Sequence, residues 1–405
     1  MADHRAGGAD LSAPRPRWGV VIAAFTLMFM GFGAAYSFAA FFAAFQEEFG
    51  ASRAHVSLVF SLSALLWFSA GVPGGMLADR FGPRGVCLAG ALCLAGGLAL
   101  AANAPSVELL YLTYSVGAGL GIGLSYVPSV AAVQQAFVQH RALASGIAVS
   151  GIGAGNLVMP LAAAWLIGLV GWRHAYLALA AAMLVLSVPA ALALSGRKAV
   201  RKGVDGAPLP GMSLAQGLRS APFWLMYAVA LLICVGFFVP MVHLVPYALD
   251  AGLSEAQGVS LVSLLGLGSL LGRFFVGGIA DRLGHLRSLV AVGAGLGVMF
   301  LLWWVSKSYL PLAVFAVVFG SLYGGYVALA PTICMDIFGP RALSAIIGSL
   351  YTAAGLGTLI GPTFAGASFD ATGSYDLSIL VCAALCFAGA GLALVMRRHL
   401  PHRHA

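Results

Sequence analysis

Twelve apolar runs, each long enough to cross a lipid bilayer as a helix, restrict this chain to one kind of architecture. They fall at about 18–44, 54–77, 86–103, 108–135, 142–168, 175–195, 222–248, 257–280, 287–306, 308–335, 342–366 and 376–396. A spanning helix needs about 20 apolar residues, because each residue advances about 1.5 Å through a hydrocarbon layer about 30 Å thick. Within that layer every backbone N–H and C=O must find a partner inside the protein, so such runs fold as helices. Hydrophobic residues make up 61% and charged residues 8% of the 405, a balance that excludes a water-soluble domain of this size.

The charges sit in the breaks between runs, and their distribution orients the chain. With the N-terminus in the cytoplasm, the 21 Lys and Arg residues gather on the inner side; apart from Arg273, only Arg53, Arg173 and Lys307 fall outside. That asymmetry predicts a multi-pass protein of the cell inner membrane with both termini cytoplasmic. The first seventeen residues are polar and lead straight into a full-length run, so the first helix is expected to act as its own insertion signal. The net charge of +8 is spread over helix ends rather than over one face, and no nucleic-acid partner is expected. All six cysteines lie inside apolar runs with no CxxC, and read as small core residues. His399, His402 and His404 share a solvated basic tail with arginines. No cofactor or metal is expected. The lipid bilayer is the expected surrounding, and a monomer the expected state.

The chain is a duplication. GGMLADRFGPR at Gly74–Arg84 recurs as GGIADRLGHLR at Gly277–Arg287, which sets Asp79 against Asp281 at an offset of 202. RALASGIAVSG at Arg141 recurs loosely as RALSAIIGSLY at Arg341, and GWRHAYLAL at Gly171 meets GSYDLSILV at Gly373, at nearly the same offset. The predicted organisation is a cytoplasmic tail (1–17), a six-helix bundle (18–196), a linker (197–219), a second six-helix bundle (220–397) and a tail (398–405). The fold class is thus all-α, with twelve transmembrane helices in two pseudo-symmetric bundles. Six crossings per half leave the halves in the same orientation, an arrangement that puts a binding site between them near mid-membrane. The pairs Gly71/Gly75, Gly119/Gly123, Gly151/Gly155 and Gly268/Gly272 have the spacing that lets helices approach closely in lipid.

Arg273 stands alone in the run Leu261–Ala280, with no acidic residue beside it. A charge at bilayer depth costs about 2.5–3.5 kcal/mol on insertion scales, so it faces a polar cavity or a partner. The nearest charge toward the cytoplasm, Asp281, is about 12 Å along the helix, which makes snorkelling difficult. An anion that arrives from solution is the expected partner; a bond to a backbone carbonyl is the structural alternative. At the repeat offset its counterpart is Gly71, so the scaffold itself does not require an arginine there.

Tyr126 and Tyr326 are related by the repeat and lie mid-span, with Tyr323 three residues from Tyr326 and Tyr351 at similar depth in the eleventh run. Each phenol is a candidate donor to a carboxylate, or else an interhelical packing group. Asn156 is as deep, and an amide there bonds either another helix or the substrate. His243, between Pro240 and Pro246, is the embedded group whose ordinary pKa lies nearest neutrality, and so the candidate proton carrier; a hydrogen-bonded structural histidine is the alternative. The loop charges Asp79, Arg80, Arg84, Asp281 and Arg282, joined by Asp336 and Arg341, are candidates for a gating latch between the halves.

The loop G-x-L-A-D-R-x-G-x-R at Gly75–Arg84, with its second copy, resembles the loop motif of the major facilitator superfamily. AFVQHRALASGIAVSG at Ala136–Gly151 resembles the fifth-helix signature of the monocarboxylate transporters from Arg141 onward, with Gln139 and His140 where the first basic residue belongs. Trp18–Gly19 keeps the core of the first-helix motif, and SYVPS, GWRHAYL and VHLVPYA resemble bacterial members, including oxalate/formate antiporter-like proteins. The resemblance implies that the eighth-helix arginine, here Arg273, binds a substrate carboxylate. It also marks departures: Ser269 replaces an acidic residue one turn earlier, Tyr36 replaces a first-helix lysine, and Tyr351 and Thr352 stand where oxalate exchangers use a second cation. One embedded cation argues for one carboxylate per substrate.

The expectation is a non-enzymatic secondary transporter of a small organic monocarboxylate, by proton symport or anion exchange. A proton-coupled exporter of another small molecule, or a non-transporting sensor on the same scaffold, are the alternatives.

Overall fold

The computed structural model describes residues 18–137, 141–194 and 210–399, which form fourteen α-helices. The N-terminal tail, residues 400–405, Gln139, His140 and most of the predicted linker, with Arg197, Lys198, Arg201 and Lys202, lie outside the described residues. So do the side chains of Arg141 and Asp281. The first half comprises α1 (Trp18–Tyr36), α2 (Phe38–Phe49), α3 (Arg53–Phe81), α4 (Pro83–Ala101), α5 (Val107–Ala136) and α6 (Arg141–Ala193). The second comprises α7 (Leu214–Leu218), α8 (Ala221–Phe237), α9 (Val239–Asp250), α10 (Glu255–Leu283), α11 (His285–Val305), α12 (Tyr309–Phe338), α13 (Leu343–Thr372) and α14 (Asp376–His399).

Eleven helical stretches among the described residues are long and apolar enough to cross a membrane. One of them, Leu143–Ala193, is 51 residues long, far more than one crossing requires. Its helical path is broken at Gly171, where φ is 75° and ψ 162°, so α6 carries the two crossings expected at 142–168 and 175–195. The predicted linker is not featureless throughout: Ser213 starts the short α7 with a capping box to Gln216, inside the segment expected to be loop.

The duplication is visible in the backbone. Both copies of the loop motif end their helices on a glycine at positive φ, Gly82 at 89° and Gly284 at 90°. Each glycine N–H donates to the carbonyl four residues back, that of Ala78 or Ala280. A side chain is disfavoured at such φ, which is why glycine stands at both corners. The first crossing of each half is also interrupted at matching positions, at Ser37 between α1 and α2 and at Phe238 between α8 and α9. In the second half the cause is Pro240, which has no N–H to continue the ladder.

In the first half α1 packs on α6, and α3 and α4 on α5; in the second, α10 packs on α12, α11 on α14, and α8 on α13 and α14. The α10–α12 seam is backbone against backbone. A methyl group at Gly268 or Gly272 would collide with the main chain of Val317 or Ser321, and one at Gly320 or Gly324 with that of Leu265 or Ser269. Such contact lets van der Waals attraction hold helices that gain no hydrophobic drive from lipid. Across the halves, α3 packs on α13, α6 on α10, and α2 on α9.

Candidate functional site

A cavity of about 1050 Å³, counting its open mouth, lies between the halves. It is lined from both bundles, by α1, α3, α5 and α6 on one side and α8, α10, α12 and α13 on the other; α4, α11 and α14 contribute none of its described lining residues. Arg273, Tyr126, Tyr326, Tyr351, Tyr36 and Tyr323 all line it. Gly71, the repeat counterpart of Arg273, lines the same space.

Arg273 is the one charged side chain among the described lining residues. Its Nη1 donates to the carbonyl of Val149 on α6 at 2.7 Å, so the backbone bond anticipated as the structural alternative does exist. That bond uses one of five N–H donors. Nε and Nη2 are buried with no hydrogen-bond partner. These two nitrogens form one edge of the guanidinium plane, with the spacing that accepts the two oxygens of a carboxylate side by side.

The phenols face one another across the halves. Tyr36 Oη on α1 lies 3.0 Å from Tyr323 Oη on α12. Tyr126 on α5 and Tyr351 on α13 line the same space from opposite halves. The interrupted helices deliver rings rather than unpaired backbone. Phe237 meets Tyr323 edge-on at 5.1 Å and Tyr326 at 4.9 Å, and Phe238 meets Trp67 at 5.9 Å. Sequence reasoning passed over Phe237, Phe238 and Trp67. Pro240 was the signal, since an interrupted span in a transporter-like repeat points to the binding site.

Two candidates lie elsewhere, so the structure separates them from the cavity residues. His243 is fully buried, with Nε2 2.8 Å from the Pro362 carbonyl and Nδ1 3.0 Å from Tyr375 Oη. A carbonyl accepts only, so Nε2 carries the hydrogen, and the Tyr375 hydroxyl donates to Nδ1. The ring is neutral in this arrangement and both nitrogens are occupied. Asn156 is buried where α6 meets Gly266 of α10, and neither amide atom has a hydrogen-bond partner.

At the end of the bundles away from the linker, the halves are joined by a network that the sequence reading missed. Arg53, at the start of α3, donates to both carboxylate oxygens of Asp250, at 2.6 and 2.8 Å, and to Tyr375 Oη at 2.7 Å. Its guanidinium lies 3.7 Å over the Phe369 ring. The Asp370 carboxylate accepts the backbone N–H groups of Arg53 and Ala54, at 3.0 and 2.9 Å, and so caps α3 from the opposite half. Burial pushes the Tyr375 phenol up from its ordinary pKa, which keeps its hydrogen in place for His243. The available signal was the charge count, for Arg53 was one of three exceptions to it. A second exception, Arg173, is held by Glu48 at 2.9 Å and by the carbonyls of Ala102 and Ala104.

Of the predicted latch at the linker end, the structure describes every side chain but that of Asp281. Asp79, Arg80, Arg84 and Arg282 are exposed, and no ion pair joins them among the described residues. Asp336 pairs instead with His285 at 2.6 Å, within the second half.

A family model of the Major Facilitator Superfamily matches residues 22–307 and again 260–405. Monocarboxylate transporter 13 of Bos taurus is 31% identical over 388 residues, covering 95% of this chain and 89% of that protein. Monocarboxylate transporter 11 of Homo sapiens is 29% identical over 401 residues, covering 95% and 83%. Among solved structures, a bacterial homologue of the human lysosomal transporter Spinster, inward-facing and unoccupied, shares the fold with a TM-score of 0.72 at 17% identity, over 94% of this chain and 96% of that one. The chain belongs to the major facilitator superfamily, as a multi-pass membrane transporter related to the monocarboxylate transporters and not as an enzyme.

Proposed function

We propose that this protein is a secondary active transporter of an organic monocarboxylate in a cell inner membrane, working by alternating access. The observation that carries the reading is the unpartnered Nε–Nη2 edge of Arg273 in a cavity shared by both halves. A carboxylate seated there satisfies two buried donors and neutralises the charge of Arg273, so the loaded carrier crosses more easily than the empty one. The halves 18–196 and 220–397 rock about the site, with the basic linker end toward the cytoplasm and the Arg53 network sealing the outside in the state described here. The transported anion travels with a proton or in exchange for another anion.

The test is uptake of radiolabelled monocarboxylates into proteoliposomes by the wild type, Arg273→Lys and Arg273→Gln. Removing one member of a buried charge pair costs about 3–5 kcal/mol, so Arg273→Gln is expected to lower uptake by about a hundredfold or more. An imposed pH gradient drives accumulation if a proton is carried, whereas internal anion stimulates it if the protein exchanges. Normal transport by Arg273→Gln, or the failure of every acid to move through correctly folded protein, overturns the reading.

A further inference from the structure

The cavity walls say more than that the substrate is an anion. Ten of the twenty-five lining residues carry aromatic rings, and most of the others are aliphatic or small. One hydroxyl pair across the halves is closed on itself, Tyr36 with Tyr323. Beyond that pair the wall is mostly ring and aliphatic surface set around Arg273. Gly71, Gly123, Ala230, Ala330 and Ala354 leave the volume unfilled.

A two- or three-carbon acid fits this site poorly. It would cover little of the aromatic wall. A molecule with one carboxylate on a flat apolar body covers more of it. The carboxylate takes the Nε–Nη2 edge of Arg273, and the body meets ring edges and faces in the geometry aromatic groups prefer.

We propose that the preferred cargo is an aryl-substituted monocarboxylate, an acid of the phenylalkanoate type, selected by the rings of Phe32, Trp67, Phe237 and Phe238 around the Arg273 anchor. This inference rests on the monocarboxylate reading above and narrows it to a substrate class.

The experiment is inhibition of uptake in proteoliposomes by a series that separates charge from ring. It compares propionate, lactate and pyruvate with cyclohexanepropionate, 3-phenylpropionate and uncharged 3-phenylpropionamide, using labelled 3-phenylpropionate as the transported acid. The phenyl acid is expected to half-saturate at a concentration at least about tenfold below propionate or lactate, by the discrimination an apolar pocket can deliver. The amide is expected to be inert. Phe237→Leu narrows the gap between phenyl and alkyl acids, whereas Arg273→Gln weakens both alike. Lactate or pyruvate binding as well as the phenyl acid overturns the proposal and leaves the monocarboxylate reading standing. Equality of the cyclohexyl and phenyl acids overturns the aromatic preference. If the amide competes as well as the acid, the monocarboxylate reading itself fails, and the proposal with it.

Discussion

The two ends of the cleft between the bundles use the same chemistry and stand in opposite conditions. At the far end Arg53, Asp250 and Asp370 are joined across the halves, and the Arg53 side chain is only 13% exposed. At the linker end Asp79, Arg80 and Arg84, at the junction of α3 and α4, are of the same residue types, yet they are exposed, with no ion pair among the described residues. The difference between the ends is one of engagement rather than of residue type. We propose that the two sets act as alternating fastenings, with the engaged set marking the closed side.

The sharpest way to break this contrast is Arg53→Ala. It removes a bidentate pair, a bond to Tyr375 and the stack on Phe369 at once. Asp250 is 38% exposed, which discounts the ion pair for solvent screening, so we expect a loss of about 2 kcal/mol from the closed far end. Spin labels on cysteines replacing His55 and Leu249 will report a separation that lengthens; an unchanged distance distribution would count against the latch. Asp370→Ala is expected to have about half that effect, near 1 kcal/mol, because it removes a cap while leaving the ion pair intact. The same labels measure it, and a loss equal to that of Arg53→Ala would show that capping is the dominant fastening. Asp79→Asn is the smallest in this state. It is expected to leave the far-end distances and substrate affinity unaltered while slowing turnover, as the proposed latch requires. A matching fall in affinity would place Asp79 in substrate binding instead.

The unequal reach of the sequence follows from where each piece of information resides. The twelve crossings are legible because each run carries its own evidence, and the breaks at Gly82 and Gly284 because the motif repeats. Arg273 was legible because a lone charge in a 20-residue apolar run is costly wherever it points. Pairings such as Arg53 with Asp250, or Tyr36 with Tyr323, join residues separated by 197 and 287 positions, and no local pattern encodes them. His243 shows the same limit from the other direction. Its depth in the seventh run was readable, but its enclosure by Pro362 and Tyr375, away from the cavity, depends on α13 and on the residue preceding α14.

The glycine seam between α10 and α12 has a consequence for how such a carrier can change over time. Gly268, Gly272, Gly320 and Gly324 admit no side chain on the faces where these helices touch. On the same two helices, Arg273, Tyr323, Tyr326 and Val327 face the cavity. Variation is thereby channelled: one face of each helix is closed to substitution by geometry, and the other is free to accept it without disturbing the frame. A lineage built on this seam can acquire a new cargo through a few cavity-facing replacements, and can keep its architecture across long divergence while doing so.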